Sequence, residues 1–168
     1  MKRIRTILAV LAVSAVTLGF AVSSGLASTS KVAAPAGAAL TLTHNRLGDT
    51  LTDGRGRALY LFQPDRANVS VLSREGFAVW PAFTGNSKPR AEGGVSGAHV
   101  GVIMSAGGRH QVTYYGHPLY YYVGDQAPGA TNGQDLDQFG GRWYLVSARG
   151  RAVTSHSTSA SAAPQSTW

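Results

Sequence analysis

Residues 56–65, GRALYLFQPD, and residues 116–125, GHPLYYYVGD, align without a gap at an offset of 60 positions. Gly, Leu, Tyr and Asp are identical in the two segments, and the second residue after the shared Tyr is aromatic in both. A tryptophan follows each Asp at a similar distance, Trp80 in the first copy and Trp143 in the second. These matches indicate an internal duplication. We therefore predict two pseudo-symmetric β units that share one core.

Each copy of this Tyr-x-aromatic-x-x-Asp motif has the pattern of a short strand followed by a turn. Side chains two positions apart in a strand share a face, so the Tyr and the second aromatic residue should lie side by side. The Asp then falls just past the strand end, after a Pro or a Gly that favours a turn. Six candidate ligand-binding residues result from this pattern: Tyr60, Phe62, Asp65, Tyr120, Tyr122 and Asp125.

The rest of the central sequence is also typical of β structure. The chain has 21 Gly and 7 Pro, which favour many turns over long helices. Apolar and aromatic runs bounded by turn residues predict strands at 49–52, 58–62, 100–104, 111–114, 118–122 and 142–146. Residues 73–80 could form a helix of a turn or two, ended by Pro81. We predict an all-β, small antiparallel domain with at most one short helix.

The two ends of the chain are expected to lie outside the folded domain. Residues 1–27 combine a cationic start, an uncharged stretch and small residues, the pattern of a secretory signal peptide. Residues 28–39 are expected to be a linker, and residues 154–168, rich in Ser, Ala and Thr, a disordered tail. The duplicated domain should span 40–153, with repeats at about 48–83 and 109–147. The expected location is therefore extracytoplasmic, at the cell envelope.

Charge and cysteine content limit the classes of partner. Removal of the signal segment, with Lys2, Arg3 and Arg5, leaves 12 of the 15 basic residues against 8 acidic ones. These charges are scattered, which argues against nucleic-acid binding but suits weak attraction to anionic wall polymers. The chain has no cysteine, so it has neither a disulfide nor a lipid-bearing cysteine. We expect no stable membrane anchor after signal cleavage, and a cell-wall polymer or another envelope protein as the partner.

Residues 48–147 resemble a known family, the secreted repeats of unknown function, which are predicted bacterial lipoproteins named for the Tyr-x-aromatic-x-x-Asp motif. The motif copies, the Trp80-Pro81 step and the segment FGGRWY at 139–144 carry the resemblance. Members of the family often have a lipobox cysteine and a cysteine pair before the Trp-Pro step, and both are missing from this chain. Lipid anchoring and thiol chemistry are therefore not implied. The family has no established activity, so the resemblance bears on fold more than on function.

Two interpretations of the motif remain open. In the structural one, each Asp accepts hydrogen bonds from backbone N–H groups of its turn, the aromatic rings are core, and Trp80, Pro81 and Trp143 complete the structural motif. In the other, the aromatic faces and the carboxylates form a shallow groove for a sugar or peptide of the envelope. The structural interpretation is favoured, because duplicated motifs more often preserve folding than a site.

Other chemistries find little support in the sequence. His44, His99, His110, His117 and His156 lack the spacing of a zinc site, and His110 with His117 would make at best a weak metal pair. The oxygen-rich stretch 125–137 lacks the closing Glu of a calcium loop. No nucleophile elbow, phosphate loop or zinc-protease motif is present. We therefore predict no metal, no cofactor and a non-enzymatic binding or scaffolding module. The alternatives are a hydrolase-like enzyme that uses Asp65 and Asp125, and a small-ligand or metal carrier.

Overall fold

The computed structural model describes residues 39–154. The expected signal peptide, the linker apart from its last residue, and the tail after Thr154 lie outside the described residues. Within them the strands, in chain order, are β1 Ala39–Asn45, β2 Gly48–Asp53, β3 Tyr60–Phe62, β4 Arg90–Ala91, β5 Val100–Ser105, β6 Arg109–Tyr114, β7 His117–Pro118, β8 Asp137–Gln138 and β9 Gly141–Leu145. A single helical turn, α1, spans Gly76–Val79, and a 3-10 turn spans Gly97–His99.

The strands form three small sheets, with the strand orders β2-β1-β4, β3-β9-β8 and β5-β6-β7. Neighbouring strands are antiparallel except β1 and β4, which run parallel over two residue pairs. Two isolated bridges link the sheets: Thr50 of β2 pairs with Ser147, just after β9, and Tyr60 of β3 pairs with Tyr120, just after β7. The β3-β9-β8 sheet is thus linked to both of the other sheets, and one of these two links joins the two motif copies.

Two of the hairpins turn through an aromatic residue followed by Gly. Tyr115 and Gly116 connect β6 to β7, and Phe139 and Gly140 connect β8 to β9. All four residues have positive φ, at 48° and 80° in the first turn and 58° and 84° in the second. This is the backbone of a type I′ turn, whose twist matches that of the flanking strands. Glycine adopts it freely, whereas an aromatic residue does so at a cost.

The core consists of two clusters of buried side chains. One is mainly aliphatic and includes Leu51 of β2 and Val112 of β6, with Leu59 and Leu119 from the two motif copies. The other is mainly aromatic and contains the motif tyrosines Tyr60 and Tyr120 with Trp80 and Trp143. All four of these aromatic side chains are fully buried. Each motif copy therefore contributes a leucine to one cluster and a tyrosine to the other.

The predicted mostly β class is confirmed, and α1 falls inside the segment 73–80 that was predicted to be helical. The sequence did not indicate β1, β4 or β8 as strands, and β1 begins at Ala39, one residue before the expected start of the domain. The strand predicted at 118–122 is reduced to β7, since the chain beyond Pro118 changes partners at almost every residue. Pseudo-symmetry of the whole domain stays a prediction.

Candidate functional site

The two motif copies meet at their tyrosines. The backbone N–H of Tyr60 donates to the carbonyl of Tyr120 at 2.9 Å, and the N–H of Tyr120 donates to the carbonyl of Tyr60 at 3.0 Å. Tyr60 also begins β3, which pairs with β9 and so places Phe62 opposite Trp143. The duplicated strands therefore lie next to each other, antiparallel, in the middle of the domain.

The tyrosine hydroxyls cross between the copies. Tyr60 donates to Oδ2 of Asp125 at 2.6 Å, and Tyr120 donates to Oδ2 of Asp65 at 2.7 Å. The other oxygen of each carboxylate accepts a loop N–H, from Val71 at 2.8 Å for Asp65 and from Asn132 at 2.7 Å for Asp125. Each Asp thus holds its own loop and the tyrosine of the other motif copy. Hydrogen bonds to charged groups of this kind contribute about 1.5–3 kcal/mol each.

Burial controls the ionisation of these groups. It raises the pKa of both Tyr60 and Tyr120, and the neighbouring carboxylates Asp125 and Asp65 raise it further, so both hydroxyls keep their protons and remain donors. Burial also raises the pKa of Asp65 to about 6, against the opposing effect of the hydrogen bonds from Tyr120 and the Val71 N–H. Asp65 therefore changes charge close to neutral pH.

Stacked rings fill the space between the crossed pairs. The rings of Trp80 and Trp143 are parallel, with centroids 3.8 Å apart. Phe62 stacks on Trp143 and Tyr122 on Trp80, each with centroids 4.4 Å apart. The two indoles also meet the tyrosines in T-shaped contacts, Tyr60 against Trp80 and Tyr120 against Trp143. Such contacts add about 0.5–1.5 kcal/mol per pair beyond the burial of area.

The six predicted site residues are therefore brought together, but mainly inside the domain. Tyr60 and Tyr120 have no exposed surface, Phe62 is 2% exposed, and Tyr122 is half-buried. The carbonyl of Pro81, a residue of the predicted structural motif, accepts the N–H of Tyr121 at 2.8 Å. None of the three buried rings offers an open face, which supports the structural interpretation of the motif. Ligand binding by the six residues stays a prediction.

Sequence reasoning missed Gln138, which serves both tryptophans. Its side-chain oxygen accepts the indole N–H of Trp80 at 2.9 Å, and its backbone carbonyl accepts the indole N–H of Trp143 at 3.1 Å. A buried indole N–H needs an acceptor, but nothing in the local sequence shows which residue supplies it. The residue lies in β8, a strand too short to be recognised from its pattern.

A second carboxylate arrangement, also missed, lies just before the first motif copy. Asp53 is 2% exposed, and its Oδ1 accepts the N–H groups of Arg55 and Arg57 at 2.9 and 3.0 Å. Its Oδ2 accepts the hydroxyl of Tyr121 at 2.9 Å. The Asp-Gly sequence at 53–54 is a local sign of this turn. The tyrosine has no such sign, because it lies 68 positions further along the chain.

Both arginines of this turn line a cavity. The guanidinium of Arg57 lies over the ring of Tyr121, 3.9 Å from its centroid. The cavity beside it has a volume of about 320 Å³ and is lined by Arg55, Arg57, Asp125, Gln126, Ala127 and Pro128. Its two walls are joined by a backbone hydrogen bond from the N–H of Gly129 to the carbonyl of Gly56 at 3.0 Å. Among residues 39–154, neither arginine forms an ion pair.

The histidines are dispersed. His44 bonds to Asp49 at 2.8 Å, His99 stacks on Tyr115, and His117 lies opposite Tyr114 rather than His110. His156 lies outside the described residues. Over residues 39–154, no group of three or more His, Cys, Asp or Glu side chains could hold a metal ion.

The segment that contains the second motif copy also matches a known family. Residues 101–147 match the family described as a secreted repeat of unknown function. The matched residues run from β5 to the end of β9 and include Tyr120, Asp125 and Trp143. The first motif copy, at 56–65, lies outside them. The resemblance predicted from the motif is thus confirmed for the second repeat.

The description of the matched family indicates where its members are located but not what they do. This description supports an extracytoplasmic location, and within residues 39–154 no helix is long and apolar enough to cross a membrane. Comparisons with curated proteins and with solved structures found no match. The signal peptide and the cell-envelope location stay predictions.

Proposed function

We propose that this chain is a non-enzymatic, secreted binding module of the cell envelope, and that the duplicated motif is the scaffold that holds its surface loops. The supporting observation is the crossed pair of hydrogen bonds, Tyr60 to Asp125 and Tyr120 to Asp65. Both carboxylates are bonded to a tyrosine and to a loop N–H, so the polar groups of the motif stabilise the domain itself.

The surface that contacts the partner is then formed by the loops whose backbone is hydrogen-bonded to these carboxylates. Asp65 fixes the segment up to Val71 and Asp125 the segment up to Asn132, and both segments are largely exposed. Exposed loops on a rigid scaffold commonly carry binding function. The basic residues left after export favour an anionic partner, and we propose a cell-wall polymer.

Retention on isolated wall material tests this function. The protein expressed from the full-length sequence would be mixed with a purified cell-wall fraction, sedimented, and measured in the pellet as a function of concentration. We expect saturable retention and no release of fragments from the wall material. Protein that stays in the supernatant at every concentration and at low salt would overturn the proposal.

The hydrolase-like alternative has one observation in its favour, the pKa of Asp65 near 6, which is in the range of a general acid. The same incubation separates the two functions. A hydrolase would release fragments from the wall catalytically, and an Asp65→Asn, Asp125→Asn variant that is still folded would abolish the release. A binding module retains protein in proportion to the sites available and releases nothing.

A further inference from the structure

We infer that the cavity between Arg55 and Arg57 on one side and residues 125–128 on the other binds a phosphodiester group of an anionic polymer. This inference rests on the proposed function and names the site and the chemistry of the ligand. The cavity, of about 320 Å³, has two arginines among its six lining residues.

The backbone of both arginines and the side chain of Arg57 are held in place before any ligand arrives. Their backbone N–H groups both donate to Asp53, which is itself fixed by the hydroxyl of Tyr121. The guanidinium of Arg57 lies over the ring of the same tyrosine, at 3.9 Å. Stacking uses the face of a guanidinium and leaves the N–H donors on its edge free for a ligand. The Arg57 side chain then loses less entropy on binding.

The charges of the cavity favour one anionic group. Arg55 and Arg57 contribute two positive charges that form no ion pair among residues 39–154, and Asp125 contributes one negative charge. The oxygens of Asp125 already accept hydrogen bonds from Tyr60 and the Asn132 N–H. The net charge of the lining is therefore positive, and its side-chain donors belong to the arginines and Gln126.

Two separate guanidiniums match a phosphodiester better than a carboxylate. One Arg can saturate the two oxygens of a carboxylate in a bidentate pair, whereas a phosphodiester offers two non-bridging oxygens and two ester oxygens to several donors. A polymer presents many copies of this group to the single cavity, so its affinity per chain is expected to exceed that of the free anion by at least this statistical factor.

The matching position of the other motif copy lacks this chemistry. Gly116 corresponds to Gly56 in the alignment of the copies, and its carbonyl accepts the N–H of Asn68 at 2.7 Å, as the carbonyl of Gly56 accepts that of Gly129. The residue that corresponds to Arg57 is His117, and burial lowers the pKa of its imidazole. It is therefore largely neutral at pH 7 and brings no charge. We expect one phosphodiester site per domain.

Titration calorimetry with a synthetic poly(glycerol phosphate) tests the site in the full-length protein. The test variant is Arg55→Gln with Arg57→Gln. The control is Arg149→Gln with Arg151→Gln, which removes the same charge at the same spacing from a different cavity. We expect the test variant to bind the polymer at least about tenfold more weakly than wild type does, and the control to bind it within about twofold of wild type. Thermal unfolding checks that both variants are folded.

Four results would overturn the inference. Equal losses in the two variants would show diffuse charge attraction, and a loss in the control alone would place the site at the other cavity. Binding of inorganic phosphate as tight as that of the polymer would show a free-phosphate site instead. Retention on cell-wall fractions provides the separate readout. If the test variant is still retained like wild type, this cavity is not the contact, but the proposed function stands.

Discussion

The hydroxyl of Tyr60 bonds to the carboxylate of Asp125, 65 positions further along the chain, rather than to Asp65 in its own motif copy. Tyr120 reciprocates by donating to Asp65. The motif is local in the sequence, but its Tyr–Asp hydrogen bonds form between the two copies. The Tyr and the Asp of one segment are kept together because each has a partner in the other segment.

Double-mutant cycles test this exchange of partners. Tyr60→Phe and Asp125→Asn should each lower the free energy of unfolding by about 1–3 kcal/mol, because each leaves a partly buried polar group without its partner. Combined, they should show a coupling of about 0.5–2 kcal/mol, measured by urea unfolding. The control pair is Tyr60→Phe with Asp65→Asn, which share no hydrogen bond, and its coupling should be smaller. Stronger coupling within one motif copy than between copies would contradict the crossed arrangement.

Stability should depend on pH through Asp65. Its pKa is about 6 in the folded domain and about 3.8 in the unfolded chain, so between these values the folded state binds more protons. The free energy of unfolding therefore falls as the pH rises from about 4 to 6, and this loss is complete above pH 6. Because the carboxyl is partly exposed, we expect the loss to be on the order of 1–2 kcal/mol.

The check is thermal unfolding at several pH values between 4 and 7, for wild type and for Asp65→Asn. The variant cannot ionise at this position. The difference in the free energy of unfolding between the two proteins should therefore change, across this pH range, by the loss expected for wild type. Asp49→Asn is a suitable control, since Asp49 is exposed and lies outside the motif. Parallel profiles for wild type and Asp65→Asn would show that Asp65 is not the group responsible.

Local features of the sequence were enough for the fold class but not for the contacts. Apolar and aromatic runs bounded by turn residues predicted β2, β5, β6 and β9, because strand composition and turn residues are visible within a few positions. Strands of two residues, such as β4 and β8, have too few positions for any pattern. The stretch after Pro118 looks like one long strand, but its successive residues bond to different parts of the chain.

In the candidate site, too, local contacts were predicted and contacts between distant parts of the chain were not. The turn amides that bind Asp65 and Asp125 were predicted, since an Asp after a strand commonly bonds to the next few residues. The partners of Tyr60 and Tyr121 were not predicted, because Asp125 and Asp53 lie 65 and 68 positions away. Only the pairing of distant strands decides which of several carboxylates a buried tyrosine meets.

The β8–β9 hairpin offers a stabilising substitution. Phe139 has φ of 58°, a left-handed conformation that Asn tolerates better than Phe, and its side chain is 42% exposed. We expect Phe139→Asn to raise the free energy of unfolding by about 0.5–1 kcal/mol, measured by thermal unfolding. Tyr115→Asn is the matched comparison, since Tyr115 has φ of 48° but stacks on His99, and the lost contact should offset the gain. A destabilised Phe139→Asn would show that the exposed ring makes a contact worth more than the strain.

Gln138 should be more important to the fold than its place in a two-residue strand suggests. Gln138→Ala removes the acceptor of the Trp80 indole N–H but keeps the backbone carbonyl that serves Trp143. An unpaired buried donor costs about 1–3 kcal/mol, so the variant should unfold at a lower urea concentration with an unchanged slope. Gln126→Ala, on an exposed loop, should leave stability within about 0.5 kcal/mol of wild type. Because the indole of Trp80 stacks on Trp143, near-ultraviolet circular dichroism should report any shift of the pair. Loss of the signal from the paired tryptophans without loss of stability would mean that Gln138 orients the rings but does not hold the core together.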